Sequence, residues 1–150
     1  AGAHMAAQCA LAVANPRFAQ EAKIKPELPL ENLKAVLLYC GPYNVESVLD
    51  TDNMAGRFVM GKIGWGLFGT HNWRKSSLLK TTVIKDYITP DFPPVFLTDG
   101  NTGSFERDGR ELVKHLKACE VKVSELFFEA SAGEIGHEFQ YDLSGTAGRT

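Results

Sequence analysis

At 150 residues, 44% hydrophobic and 23% charged, the chain is sized for one cored domain of ordinary composition. A formal net charge of −2 and a pI near 6.1 give no electrostatic basis for a nucleic-acid partner or an anionic membrane surface. No apolar run reaches the roughly 18 to 20 residues that a membrane span needs, and no signal peptide is visible, although a start inside a longer chain would hide one.

Cys9, Cys40 and Cys119 are odd in number, far apart and set among apolar neighbours. They read as buried thiols of a reducing compartment, which places the protein in the cytoplasm.

From Ala3 to Ala14 nearly every residue is small or apolar, and the polar His4 and Gln8 share one face at i, i+4. A helix of that kind is a buried one. Asn15-Pro16 ends it, because the residue before proline is pushed out of the helical region. Arg17 to Lys25 reads as a further helical turn or a loop, and Pro26 to Glu31 as a polar connection. Leu33 to Cys40 is a short apolar run closed by Gly41-Pro42, the pattern of a strand buried on both faces of a parallel sheet.

Residues 44 to 89 are the least regular part. Val45 to Leu49 suits a short helix, and Leu78, Leu79, Val83 and Ile84 fall at helical spacing. The large side chains here, Trp65, Phe68 and Trp73 among them, suit a cap over an apolar pocket; equally, they could simply cover the sheet. Val95 to Asp99 is a second buried strand. After the loop Gly100 to Gly103, Ser104 is placed to cap a helix that has Glu106 and Asp108 in its first turn. Phe105, Leu112, Leu116 and Cys119 share the inner face of that helix, with Gly109 allowing close approach. Val121 to Phe128 is the third strand, the loop Glu129 to Gly136 follows, and the tail from Ser144 is small and polar. The alternation of helices and strands argues an α/β layer with a parallel sheet.

Several of these pieces resemble, in the right order, parts of the α/β-hydrolase superfamily of esterase and lipase type. Ala1-Gly2-Ala3-His4-Met5-Ala6-Ala7-Gln8 resembles the stretch that follows the serine of a G-x-S-x-G nucleophile elbow. Asp91-Phe92-Pro93-Pro94-Val95-Phe96-Leu97 resembles the strand approaching the catalytic acid, and Leu126-Phe127-Phe128 with Gly136-His137-Glu138-Phe139 the strand and Gly-His that deliver the histidine. Gly-Ala-His-Met also resembles the remnant of a cleaved expression tag, although the helical pattern runs through it without a seam.

The resemblance implies the C-terminal portion of a single α/β-hydrolase domain over residues 1–150. It would be three-layered, with a short, mainly parallel sheet of that fold's last three strands, flanking helices and a cap-like insertion at 44–89. His137 would be the base that activates a serine lying ahead of Ala1, and the backbone N–H of Ala1 one oxyanion-hole donor. Gly103 falls where the family carries its aspartate, so Asp99 is the first substitute for the acid and Glu106 the second. His4 reads as a packing or hydrogen-bonding residue, and His71 and His115 as surface residues. No cofactor is expected, and no metal, since no His, Cys or carboxylate cluster has ligand spacing along the chain.

Two functions follow. The first is part of a serine carboxylesterase or lipase that acts on a small acyl ester through an acyl-enzyme, inactive as 150 residues alone. The second is a non-catalytic module binding a small ligand or a protein partner. In either case the chain is expected to pair with a missing N-terminal half or to form a homo-oligomer, through a first strand that has become an edge.

Overall fold

The structure is a computed structural model that describes residues 2–50 and 53–149. Three strands, β1 (Val36–Tyr39), β2 (Val95–Asp99) and β3 (Val123–Phe127), form a parallel sheet in the order β1-β2-β3. Val36 stands opposite Val95, and Asp99 opposite Phe127. Because all three strands run the same way, their carboxyl ends share one rim. In open α/β sheets, ligands bind outside that rim.

Helix α1 (Gly2–Ala14) is rich in alanine, the strongest helix former. Asn15 then leaves the helical region and serves the next helix, α2 (Pro16–Ala22), as its N-cap: its side chain accepts from the Phe18 N–H at 3.1 Å and donates to the Tyr87 carbonyl at 2.7 Å. Pro16 occupies the first helical position, where no N–H is needed. Leu11 and Phe18 are sealed into one cluster with Leu38, Ile84, Leu97 and Leu116. Helix α5 (Glu106–Ala118) supplies Leu112, Val113 and Leu116 to this cluster. Gly109 lets α5 close down on Leu97 and Phe127, as the sequence suggested; a Cβ there would meet them at 3.0 and 3.3 Å.

A short parallel sheet flanked by helices is thus present. Some local expectations fail. Strand β1 is not buried on both faces: Val36 and Leu38 point into the core, whereas Leu37 is 61% and Tyr39 37% exposed. The continuous apolar run concealed a period-2 pattern in which both faces carry large side chains. Nor are the three thiols alike. Cys40 is buried and Cys119 half-buried, but Cys9 is exposed, on the side of α1 away from Ala7 and Leu11.

Within the irregular region, Val45–Leu49 does form a helix, α3, and Met54–Phe68 a longer one, α4. Helix α4 buries only Gly64 among its fifteen residues and leaves Met54, Phe58 and Leu67 well exposed. The region at 79 to 87 is two 3₁₀ turns rather than a helix. None of the helices among the described residues is long and apolar enough to cross a membrane.

His4 is buried, and its Nδ1 lies 3.0 Å from the Pro42 carbonyl, which it reaches as a neutral ring donating from that nitrogen. Burial lowers its pKa from 6.5. The unfolded chain therefore takes up a proton that the folded state resists, so stability is full above pH 6.5 and falls as the pH drops below it. Urea melts at pH 7.5 and 5.5 are expected to show a smaller acid loss for His4→Asn, whose amide can still donate to Pro42, than for the wild type. Equal losses in the two proteins would remove His4 from the account.

Candidate functional site

The rim at the carboxyl ends of the strands gathers residues from three separate stretches. Asp99 is the last residue of β2 and is 2% exposed. A buried carboxylate must be hydrogen-bonded to be tolerated, and Asp99 is held from several sides. It accepts from the Gly100 N–H at 2.8 Å and from the Phe105 N–H at 2.9 Å. The Ser104 hydroxyl approaches its two oxygens at 3.2 and 3.1 Å. The turn after β2 is thereby wrapped around the carboxylate, and Asp99, not Ser104, satisfies the first free N–H ahead of α5. The sequence points to Ser104 as the cap of that helix; the N-cap residue is instead Phe105, which makes no side-chain cap bond.

His137 comes to Asp99 from the loop after β3. Its Nδ1 lies 3.3 Å from Asp99 Oδ1 and 3.2 Å from Ser104 Oγ. Its side chain is 34% exposed, and the Phe105 ring meets its imidazole edge-on with centroids 5.5 Å apart. With the proton on Nδ1 the ring donates towards the carboxylate, which leaves Nε2 with a lone pair. His137 also borders an open cleft of ≈ 580 Å³ lined by Phe128, Ile135, Phe139 and Asp142.

The loop that carries His137 is tied to the rim by Asn101. Its Nδ2 donates to the Gly133 carbonyl at 2.7 Å and to the Glu129 carbonyl at 3.3 Å, while its Oδ1 accepts from the Ile135 N–H at 2.8 Å. Its own N–H reaches the Ile135 carbonyl at 2.9 Å. One side chain thus fastens a loop that has little regular structure of its own.

Of the two candidate acids, the structure brings Asp99 to His137 and leaves Glu106 elsewhere, paired with Arg110 one helical turn on at 2.8 Å. Gly103, at the position where a carboxylate was sought, lies at φ +79° beside open space. His4 bonds within the fold as described, His71 stacks on Trp65 at the surface and His115 is half-buried on α5. Ala1, the expected oxyanion donor, lies outside the described residues.

Cys40 is the residue that sequence reasoning passed over. It follows β1 directly, is buried, and adopts φ +53°, an uncommon conformation for a non-glycine residue. Its Sγ accepts from the Glu138 N–H at 3.3 Å and lies 3.4 Å from the Gln140 side-chain oxygen. Burial, reinforced by the neighbouring Asp99, pushes the thiol up to about 11 despite the backbone N–H groups that favour the thiolate. Cys40, Asp99 and His137 thus come together from the ends of β1 and β2 and the loop after β3. Spacing along the chain gives no hint of this, because the three are joined only through strand order.

No protein-family model matches the chain, and no curated protein matches it in sequence. Its fold is similar to that of esterase B from Lactobacillus rhamnosis in two crystal structures. In the C6-C4 SN3 inhibited form the TM-score is 0.73 at 20% identity, covering 93% of this chain and 43% of that one. In the other the TM-score is 0.69 at 20% identity, covering 92% and 42%. The chain therefore spans less than half the length of the esterase it resembles. With its three-stranded parallel sheet, its flanking helices and a likeness that runs over nearly all of its residues, the chain has the fold of part of that esterase.

Proposed function

We infer that the chain carries the base and the acid of a serine-type carboxylic ester hydrolase, and that the nucleophilic serine is supplied from outside these 150 residues. The observation that supports this most directly is His137 Nδ1 at 3.3 Å from the buried Asp99, on the strand-end rim of an esterase-like fold. A serine hydroxyl is a weak nucleophile unless a base takes its proton, and the base needs a fixed acceptor behind it. His137 has that acceptor at Nδ1. Its Nε2 would take the serine proton as Oγ attacks the ester carbonyl, then return it to the leaving alkoxide as the acyl-enzyme forms. Water repeats the sequence in the second half: Nε2 accepts its proton, and the serine oxygen leaves with that proton as the acid is released.

Ser104 does not fit the nucleophile's part, since its hydroxyl sits at the same ring nitrogen as Asp99 and is engaged with the carboxylate. The Ala1 backbone N–H would serve the oxyanion, and the substrate would be a small acyl ester met in the cytoplasm. The alternative, a non-catalytic module binding a small ligand or a protein partner, draws on Gly103, which offers no carboxylate where the family pattern places one.

The two readings separate on the coding sequence upstream of Ala1 and on one labelling experiment. A Gly-x-Ser immediately before Ala1 is expected, with the longer polypeptide labelled by a fluorophosphonate and hydrolysing p-nitrophenyl butyrate. The 150-residue chain alone is expected to do neither. Phosphonate-sensitive turnover by the 150-residue chain would overturn the external serine, and a longer chain without label or turnover would favour the binding module.

A further inference from the structure

The Cys40, Asp99 and His137 group is more than an acid behind a base. A pair suffices to orient a histidine; the third member is a thiol whose sulfur, with a carboxylate oxygen and a ring nitrogen, lies in a set of ligand atoms all within 4.8 Å of one another. Sulfur, nitrogen and oxygen together are the donor set of a borderline-soft divalent cation, and tetrahedral zinc takes all three. We propose that Cys40, Asp99 and His137 form a binding site for a single zinc ion, with the fourth position open to solvent.

The geometry is close to what such an ion requires. Ligands about 2.05 Å from a tetrahedral centre stand about 3.3 Å apart for a nitrogen and oxygen pair; His137 Nδ1 and Asp99 Oδ1 are 3.3 Å apart. For sulfur at about 2.3 Å the corresponding separation is about 3.6 Å, so closing the site draws Cys40 inward by at most about 1.2 Å. The groups behind the ligands are already in place. The Glu138 N–H points at Cys40 Sγ, and the Phe105 N–H and the Ser104 hydroxyl hold the carboxylate, as second partners do in established metal sites. The partly exposed His137 gives the ion its way in.

On binding, the Cys40 S–H proton passes to solvent as the metal–sulfur bond forms, and the His137 ring proton shifts from Nδ1 to Nε2 so that Nδ1 can ligate. A ring in that state has no lone pair at Nε2. On the hydrolase reading the ion is therefore an inhibitor of the base, but the binding itself does not rest on that reading.

Cobalt(II) is the probe, because a thiolate ligand gives it a near-ultraviolet charge-transfer band that carboxylate and imidazole do not. The 150-residue chain carrying Cys9→Ser, which removes the exposed thiol, is titrated with cobalt and then with zinc. One equivalent of cobalt is expected to produce the band, and zinc to abolish it by displacement. Cys40→Ala should remove the band, and His137→Gln, at a partly exposed position that leaves the core intact, should weaken affinity by about tenfold or more. A missing band, a band that survives Cys40→Ala, or His137→Gln binding as tightly as the parent would each overturn the site.

Discussion

In the serine-bearing polypeptide, Asp99→Asn is expected to lower kcat for a short acyl ester by about four powers of ten, while Glu106→Gln stays within a few-fold of the wild type. The reasoning starts from the two hydrogen-bond sets. Asp99 is the buried acceptor beside His137 Nδ1, and two backbone N–H groups fix its oxygens. An asparagine there presents an NH2 to at least one donor that needs an acceptor, and it favours the opposite imidazole tautomer, with the proton on Nε2 where the serine requires a lone pair. The imidazolium that forms during attack also loses its counter-charge. Glu106 has none of these connections, since its carboxylate answers Arg110. His137→Ala should cost at least as much as Asp99→Asn, and the double variant little more than the worse single, because the pair acts as a unit. Additive losses, or a larger loss at Glu106, would move the acid's role away from Asp99.

How much of this was legible beforehand depended on whether a feature is local. The sequence predicts strand β2 over Val95 to Asp99, and the structure gives those bounds, because proline before it and glycine after it punctuate a short run that opens on Val-Phe-Leu. Asp99 and His137 were picked out by chain order: one ends a strand, the other follows one. What Asp99 does with Ser104 and Phe105 was not legible. Ser104 ahead of two acidic residues matches the usual capping pattern, and only the tertiary position of the β2 end shows that a stronger acceptor occupies that place. Cys40 was hidden for the same reason. An apolar neighbourhood suggests an inert buried thiol, and nothing in Leu-Tyr-Cys-Gly-Pro says that the adjacent strand end carries a carboxylate. The segment of helix α4 stands out in the sequence by its large apolar side chains, but its helical form is obscured on different grounds. Its glycines lower helix propensity, and its apolar residues do not gather on one buried side.

The position of His137 also rests on a residue with no side chain. Gly100 follows Asp99 directly, and a Cβ built on it would lie 2.2 Å from the Ile135 carbonyl oxygen and 2.3 Å from that of Gly136. Both obstacles are backbone, so they cannot turn aside as a side chain would; the loop itself has to move. That loop is held to the same rim by Asn101, through the Ile135 N–H at 2.8 Å and the Gly133 carbonyl at 2.7 Å, and its next residue is His137. Gly100→Ala is therefore expected to push residues 135 and 136 outward by the order of 1 Å and to break the 3.3 Å approach of Nδ1 to Asp99. A misplacement of that size costs about 10²-fold in kcat, and the overpacking costs about 1 to 3 kcal/mol of stability. Gly136→Ala is the matched control, because a Cβ there meets nothing within 4 Å. It adds the same methyl group to the same loop, one residue nearer to His137, and should leave kcat within about twofold. Equal losses from the two substitutions would mean that loop flexibility, not the close approach at Gly100, sets the histidine.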